Sequence, residues 1–261
     1  MRFPVAAIGQ QLLIKGSSTG SHYLAVCNPI AKKWRLLPAL HRPRLNPCIC
    51  GIESKFGPTD KYGCDGSFQV IVAGGSSQNG NSYEPTIEIY DSCADSWHVI
   101  GEVPCEYAVR LAVWTPNDTV YCNGVIYFLT SARPYSINAF DLVKGTWSEV
   151  MVLRPQRLMC SFLIKIRGRL TLVGGLGSPK NCKCLNIWEL QGDGWPEIET
   201  MPSEVFNRFF GEKDDFDYKC AGSGDCLYFF RDYHSEILVC ELFENQRENW
   251  RWISCFSSVG S

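Results

Sequence analysis

One serine motif in this sequence has the spacing of a catalytic nucleophile. The stretch GSSTG at residues 16–20 satisfies the pattern G-x-S-x-G, in which Ser18 would be the nucleophile. That chemistry requires a strand followed by a helix, because the serine must stand on a sharp turn between them. Here the segment YLAVCN follows, which favours a second strand. The motif is therefore interpreted as a polar hairpin loop.

The sequence patterns for a metal site and for acid–base catalysis are equally weak. The 14 cysteines include no C-x-x-C pair, which is the spacing typical of zinc sites. The adjacent carboxylates Asp214 and Asp215 lie in a polar segment with no neighbouring base, as expected for a solvated loop. The four histidines are spread singly along the chain, at His22, His41, His98 and His234. The sequence thus predicts no catalytic residue, no metal and no cofactor.

Composition and charge limit the remaining classes of function and of partner. A formal charge of −2, from 25 basic and 27 acidic residues, gives no electrostatic reason to expect nucleic acid or a membrane as partner. No run approaches the about 20 apolar residues of a membrane span, and the first residues do not resemble a signal peptide. We therefore expect an intracellular protein of the cytoplasm or nucleus, with reduced cysteines packed in its core.

A repeated spacing of aromatic residues dominates the sequence. In YDSCADSW, Asp91 follows Tyr90, and Trp97 occupies the eighth position. The same frame occurs three more times, as CNPIAKKW (27–34), FDLVKGTW (140–147) and WELQGDGW (188–195). Each copy has a bulky residue, then Asn, Asp or Glu, then five residues and a tryptophan. The frame predicts a hairpin in which the bulky residue of one strand leads to a packing tryptophan on the next.

Each frame belongs to a larger unit of short strands. In the second unit, FQVIVAGG and TIEIYD have the β-branched composition and alternation of strands. The packing tryptophans recur at intervals close to the about 40–50 residues of a propeller blade. We therefore expect an all-β propeller with about five four-stranded blades in a single domain, residues 1–261. The units are placed around residues 8–38, 48–104, 108–155, 160–202 and 218–256.

The repeat assigns structural roles to three groups of residues. Paired glycines are expected where an inner strand turns or packs too closely for a Cβ atom. Bulky and acidic residues end the third strand, and tryptophans are expected to be buried between blades. The assigned residues are Gly74, Gly75, Gly174, Gly175, Tyr90, Asp91, Phe140, Asp141, Trp188, Trp34, Trp97, Trp147, Trp195 and Trp250.

A double glycine, a Tyr-Asp pair and a tryptophan at fixed spacing resemble the kelch repeat. The stretch LAVCNPIAKKWRLLP resembles the first repeat after the F-box in plant F-box/kelch-repeat proteins. This resemblance implies a kelch-type β-propeller, either with the five visible blades or as part of a six-bladed ring. It also implies a non-catalytic substrate receptor of an SCF-type (cullin-RING) ubiquitin ligase. The partners would be the target protein to be ubiquitinated and, through an F-box, the Skp-type adaptor and cullin.

Residues 1–261 contain no recognisable F-box, which leaves two expectations open. The sequence is either a fragment of a longer receptor or an F-box-less kelch scaffold protein. A further alternative is a propeller enzyme of the galactose-oxidase or cyclase type. The copper site of galactose oxidase needs two tyrosines, a cysteine and two histidines, and the scattered histidines argue against it.

Arginines provide a candidate binding surface. Each link between blades runs from a proline to an arginine, and two more arginines are expected in loops on the same side of the propeller. Such a group could bind an acidic or phosphorylated segment of a partner. Alternatively, several of them pack along blade edges or pair with carboxylates such as Glu106 and Glu204. The candidate residues are Arg44, Arg110, Arg133, Arg157, Arg208 and Arg231.

Overall fold

The fold is that of a β-propeller, and its blades are distributed over two compact units, Met1–Glu149 and Val150–Ser261. The described part of the chain forms five four-stranded antiparallel blades, as the sequence predicts. The computed structural model describes residues 2–8, 10–18, 21–45, 47, 49–54, 67–77, 82–108, 119–129, 136–150, 158–178, 181–211, 218–231, 235–242 and 249–254. The division into two compact units does not test the expectation of a single domain, which stays a prediction.

The first unit contains blades 1 to 3. Blade 1 consists of β1 (Arg2–Ile8), β2 (Gln11–Ser18), β3 (Ser21–Asn28) and β4 (Lys33–Leu36). The segment that follows it includes β5 (Arg44–Leu45). Blade 2 consists of β6 (Ile49–Ser54), β7 (Phe68–Ala73), β9 (Thr86–Asp91) and β10 (Ser96–Glu102), while the short β8 (Ser76–Ser77) pairs with β5. The helix α1 (Cys105–Ala108) precedes blade 3, which consists of β11 (Thr119–Cys122), β12 (Val125–Leu129), β13 (Ile137–Asp141) and β14 (Thr146–Val150).

The second unit contains blades 4 and 5. Blade 4 consists of β15 (Leu158–Ile166), β16 (Arg169–Ser178), β17 (Asn181–Glu189) and β18 (Glu197–Thr200). The helix α2 (Ser203–Phe210) follows it. Blade 5 consists of β19 (Lys219–Ser223), β20 (Cys226–Phe230), β21 (Glu236–Glu241) and β22 (Trp250–Ser254). Within each blade, consecutive blade strands pair in sequence order, so every blade is a meander.

The repeated frame is the hairpin between the third and fourth strands. Trp97 on β10 pairs directly with Tyr90 on β9, and the two rings lie 5.4 Å apart. The acidic residue of the frame holds the turn: Asp91 Oδ1 accepts a hydrogen bond from the Cys93 N–H at 2.8 Å. Asp141 does the same for the Val143 and Lys144 N–H groups, each at 2.9 Å. Side chains of this type favour turns because they bind the backbone two or three residues ahead.

The paired glycines have different roles in two blades. Gly74 and Gly75 directly follow β7 and have φ angles of 63° and 119°, a region that residues with a side chain rarely adopt. These φ angles suit the turn that leaves β7. Gly174 and Gly175 instead lie within β16, where they pair with β15 and β17.

Apolar side chains between neighbouring blades form the cores. Leu13 and Val26 of blade 1 pack with Val70, Val72 and Tyr90 of blade 2. The opposite face of blade 2 packs on blade 3, where Ile71 and Ile87 meet Ile126 and Phe128. In the second unit, the core between blades 4 and 5 also takes in three phenylalanines of α2. Those residues are Phe206, Phe209 and Phe210.

The tryptophans of the repeat differ in burial. Trp97 is 3% exposed between blades 1 and 2, and its indole Nε1–H donates to the Pro38 carbonyl at 2.8 Å. Trp195 is also buried, whereas Trp147 is half-buried and stacks on Tyr107 of α1. The prediction of burial is wrong for Trp34, which is 65% exposed. Its side chain lies on the face of blade 1 that points away from blade 2.

Two further properties belong to the described part of the chain. None of its helices combines the length and apolarity required to cross a bilayer. The cysteines whose side chains are described are free thiols, and Cys50, Cys122 and Cys240 are buried among the strands. Burial raises the pKa of the Cys50 thiol to about 12, although nearby Lys15 opposes this shift.

The different burial of Trp97 and Trp34 leads to a stability prediction. Trp97→Ala should lower the free energy of unfolding by about 3–5 kcal/mol, because it leaves a cavity between two blades. Trp34→Ala, the matched control on the equivalent strand, should cost about 1 kcal/mol or less. Urea-induced unfolding followed by circular dichroism measures both. Equal losses in the two variants would contradict the assignment of Trp97 to a blade interface.

Candidate partner-binding site

The six candidate arginines do not form one exposed group. Arg44 is buried, with its side chain 0% exposed, and its Nη2 lies against Oε1 of Glu88, which is equally buried. Its Nη1 donates to the Thr86 carbonyl, and its Nε donates to the Arg42 carbonyl at 3.0 Å. The prediction that Arg44 faces a partner is therefore wrong. Its side chain attaches the segment that connects the two blades to the sheet of blade 2.

Glu88 is the acceptor on which this attachment depends. Its two carboxylate oxygens accept hydrogen bonds from the backbone N–H groups of His41, at 2.7 Å, and Arg42, at 3.1 Å. The same segment is held a second time through the His41 ring, whose Nε2 lies 2.8 Å from the Trp97 carbonyl. A buried carboxylate is stable only when it is paired and hydrogen-bonded, as it is here. Burial lowers the pKa of Arg44, and the Glu88 carboxylate opposes that shift.

The position of Glu88 carries polar residues in three blades. Counting back three residues from the acidic residue of the repeat gives Glu88 in β9, Asn138 in β13 and Asn186 in β17. All three are buried. Asn186 donates to the Thr200 hydroxyl of its own blade at 3.0 Å. Both polar atoms of Asn138 are buried without a hydrogen-bond partner among the described residues. The sequence analysis did not identify these residues, although a lone polar residue in an otherwise apolar strand is a visible signal.

Arg208 and Arg231 lie beside α2. Pro202 precedes this helix, Arg208 lies in its last turn and Gly211 follows it with a φ of 67°. The Arg208 guanidinium stacks over the Trp252 ring at 4.1 Å and contacts both Glu236 oxygens, at 3.0 and 3.1 Å. Its side chain nevertheless stays 55% exposed. Such a pair and stack hold the planar guanidinium at the surface in a fixed orientation.

Arg231 caps the carbonyl end of α2. Its Nη1 lies 3.3 Å from the Phe209 carbonyl, with the Phe210 carbonyl slightly farther away at 3.5 Å. A cation at this end of a helix is favourable because the last carbonyls have no partner within the helix. Arg110, Arg133 and Arg157 lie outside the described residues. Among the described candidates, the structure thus brings only Arg208 and Arg231 together.

The enzymatic candidates of the sequence do not assemble into a site. Ser18 is the last residue of β2, and it pairs with Ser21 at the start of the antiparallel β3. This arrangement confirms the hairpin and lacks the helix that a nucleophile elbow requires. In the part of the chain that the structure describes, no three His, Cys, Asp or Glu side chains lie close enough to hold a metal ion. His234, Asp214 and Asp215 lie outside that part.

Blade 1 exposes three large apolar residues. Trp34 and Leu36, on the fourth strand, are 65% and 53% exposed, and Ile30 in the preceding turn is 74% exposed. Two cavities of about 320 and 270 Å³ open beside them, and Tyr23 lines both. Both cavities lie wholly within the first unit. Sequence reasoning missed this surface because it expected Trp34 to be covered.

Comparison with known proteins gives a family match. Residues 10–171 match the family described as "F-box associated beta propeller domain". An F-box/kelch-repeat protein of Arabidopsis thaliana is 28% identical, over 87% of this chain and 57% of the relative. Protein UNUSUAL FLORAL ORGANS of Arabidopsis thaliana is 26% identical, over 96% of this chain and 54% of the relative. F-box only protein 6 of the same organism is 27% identical, over 86% of this chain and 44% of the relative. The chain thus spans about half the length of these curated relatives.

The buried Arg44–Glu88 pair gives a second prediction. Glu88→Gln or Arg44→Met alone should lower the free energy of unfolding by about 3–5 kcal/mol, because each leaves a buried charge without its partner. The double variant Arg44→Met/Glu88→Gln should cost clearly less than the sum of the two single changes. Chemical unfolding of the four proteins measures the coupling. Additive losses would show that the two side chains do not depend on each other.

Proposed function

Because the chain belongs to the F-box associated β-propeller family, we propose that it is the substrate-recognition part of an SCF-type (cullin-RING) ubiquitin ligase receptor. The observation that carries this proposal is the family match over residues 10–171, which extend from blade 1 into blade 4. In this role the propeller binds the target protein and performs no chemistry. The Skp-type adaptor and the cullin are reached through an F-box, not through the blades.

The local geometry supports a binding role in two places. Blade 1 exposes large apolar side chains on a four-stranded sheet, a rigid base for a contact surface. On α2, Arg208 is held by Trp252 and Glu236 while more than half of its side chain stays exposed. Receptors need such side chains, fixed by the fold and open to a partner.

Five of the six candidate arginines are kept in the proposed binding site. Arg44 is removed from it, because its charge is used within the fold. We propose that Arg208 and Arg231, with Arg110, Arg133 and Arg157, bind an acidic or phosphorylated segment of the target. Arginine suits this task because its planar guanidinium can bind a carboxylate or phosphate with two parallel hydrogen bonds.

The proposed role also places the protein inside the cell, in the cytoplasm or nucleus, where ubiquitin ligases of this type act. An F-box-less kelch scaffold would use the same binding surfaces without delivering its partner to a ligase. The two roles therefore differ in what happens to the bound protein.

The receptor role can be tested by joining residues 1–261 to the F-box of one of the plant relatives. In plant cells with the proteasome inhibited, the fusion should co-purify with the adaptor, the cullin and a target protein bearing ubiquitin. Residues 1–261 alone, the matched control, should capture the same target without the adaptor or cullin. Mass spectrometry of the purified complexes measures both results.

Two outcomes would contradict the proposal. Adaptor that binds residues 1–261 directly would place the ligase contact on the propeller itself. A captured partner that never carries ubiquitin in the presence of the fusion would favour the scaffold role.

The arginine site has its own test. The triple variant Arg110→Glu/Arg157→Glu/Arg208→Glu should lose target capture while keeping its circular dichroism spectrum. Its unfolding midpoint should fall only slightly, because the Arg208–Glu236 pair that it breaks is exposed. The matched control reverses three arginines outside the site, Arg167, Arg169 and Arg251, which form ion pairs within or between neighbouring blades. Equal capture by the folded triple variant and the wild type would place the binding site elsewhere.

A further inference from the structure

Two links between blades begin in the same way but place their arginines differently. In the link that enters blade 2, the residue before Pro38 donates its backbone N–H to a carbonyl of β3 at 2.9 Å. In the link that enters blade 5, the residue before Pro202 donates its N–H to a carbonyl of β17 at 2.8 Å. Arg44 and Arg208 are each the sixth residue after these prolines. The two arginines therefore occupy the same position of the repeat.

The third strands of blades 2 and 5 differ at one buried position. Strand pairing relates the two strands, because the residue before the acidic one pairs with Trp97 in blade 2 and with Trp250 in blade 5. Counting back three residues from the acidic residue then gives Glu88 in blade 2 and Leu238 in blade 5. Both side chains belong to fully buried residues. A buried carboxylate in one blade thus corresponds to a buried aliphatic side chain in the other.

Each of these side chains matches the backbone of the link beside it. The link into blade 2 is not helical, so the backbone N–H groups of His41 and Arg42 need acceptors, which Glu88 provides. The link into blade 5 forms α2, and a helix binds most of its N–H groups internally. The buried phenylalanines of α2 pack in the core that contains Leu238. A carboxylate is therefore needed at this position in blade 2 but not in blade 5.

The exposure of the two arginines follows this difference. Arg44 pairs with Glu88, and both side chains are 0% exposed. Arg208 pairs instead with Glu236, which lies two residues before Leu238 on the same face of β21, and its side chain stays 55% exposed. Two residues along a strand span about 7 Å. The charge pair of blade 5 is thus shifted along the strand from a buried place to the surface.

At the surface, the guanidinium of Arg208 is oriented and can still donate to a partner. It lies over the Trp252 ring at 4.1 Å, and Trp252 pairs across the strands with Leu238. Both contacts with the Glu236 oxygens are made by Nη2. A guanidinium has five N–H donors, so those on Nε and Nη1 can bind oxygen atoms of another molecule. Leu238 therefore supports the ring that holds this arginine in place.

We propose that Leu238 is a positioning residue of the arginine site: it denies Arg208 a buried partner and so keeps the guanidinium at the surface, where an anionic group of the target binds it. A carboxylate at position 238 would draw Arg208 inward, as Glu88 draws Arg44. An unpaired carboxylate in the core costs far more than the loss of an exposed ion pair, so the inward pair would replace the pair with Glu236. This inference rests on the proposed function in taking Arg208 as a contact of the target.

The test measures how fast phenylglyoxal, which modifies accessible guanidinium groups, labels each arginine of residues 1–261, with mass spectrometry as the readout. In the wild type, Arg208 should react and Arg44 should be protected. In Leu238→Glu, Arg208 should react at least about tenfold more slowly, because a buried group reacts only when the structure opens locally. Arg251 is 53% exposed and ion-paired on the same blade, so it is the internal control and should react equally in both proteins.

A second variant avoids the cost of burying a charge. Leu238→Asn introduces an uncharged polar group that two other blades already bury at the same position, as Asn138 and Asn186. Its amide oxygen can accept a hydrogen bond from a guanidinium, so Arg208 should again react more slowly than in the wild type. Leu227→Asn, in the same apolar core, is the matched control and should leave the reactivity of Arg208 unchanged.

Two kinds of result would overturn the proposal. If Arg208 reacts as fast in the folded Leu238 variants as in the wild type, the helix α2 alone sets its position. If both Leu238 variants fail to fold, or if Leu227→Asn slows the reaction of Arg208 equally, Leu238 serves only the packing of the core. Circular dichroism of each variant shows whether it is folded.

The outcome is separable from that of the proposed function. Protection of Arg208 in folded Leu238→Asn with unchanged target capture would leave the positioning role intact and reject the arginine site. Loss of target capture in Arg208→Glu, with Arg208 equally reactive in the wild type and in both Leu238 variants, would leave the arginine site intact and reject the positioning role. Failure of the F-box fusion to ubiquitinate a target would reject the ligase role and leave the labelling result unchanged, because the labelling requires no ligase.

Discussion

The fold of this protein depends on burying both apolar faces of each four-stranded sheet. In blade 2, Val70, Val72 and Tyr90 point to one side, while Ile71 and Ile87 point to the other. A four-stranded sheet of this kind cannot be stable alone in water, because burying apolar surface is the main favourable contribution to folding. Stacking between neighbours buries both faces. The meander within each blade, the short links and the tryptophan on the fourth strand all serve this stacking.

Buried polar groups then fix how the segment between the first two blades is attached. Apolar packing alone tolerates small sliding movements of one sheet over another, whereas a buried carboxylate requires its partners at defined positions. Glu88 meets this requirement with two backbone N–H groups and the Arg44 guanidinium. The pair is therefore a structural feature of the blade 1 to blade 2 connection. An arginine next to a proline in such a link can serve the fold as readily as it could serve a partner.

The exposed features follow from the same principle. Where an interface position is filled, as at Trp97, the side chain stabilises the fold and is not available for binding. At the same position of blade 1, Trp34 is exposed. The family match identifies the chain as an F-box associated β-propeller. Copies of the same repeat thus differ in exposure according to which of their faces have neighbours.

The site was less predictable from the sequence than the fold. Arg44 and Arg208 occupy similar places in the linear pattern, since both follow a proline in a link between blades. Their surroundings differ, because Glu88 lies opposite one, whereas Trp252 and Glu236 hold the other at the surface. Glu88 is distant from Arg44 along the chain, so no local pattern connects them. Charge pairing across such a separation depends on how the strands are brought together.

The sequence by itself determined the blades, because their signals are local. Alternating apolar residues specify strands, Asp91 and Asp141 bind the turn that follows them, and the frame from Tyr90 to Trp97 places two rings on opposite strands of a hairpin. Only the tertiary structure decided which tryptophans and arginines are buried. Burial depends on the neighbouring blade and linker. Two copies of one motif can therefore share the same frame in the sequence and still differ in burial. For Trp97 that cover is blade 1 and the Pro38 carbonyl, whereas Trp34 remains exposed.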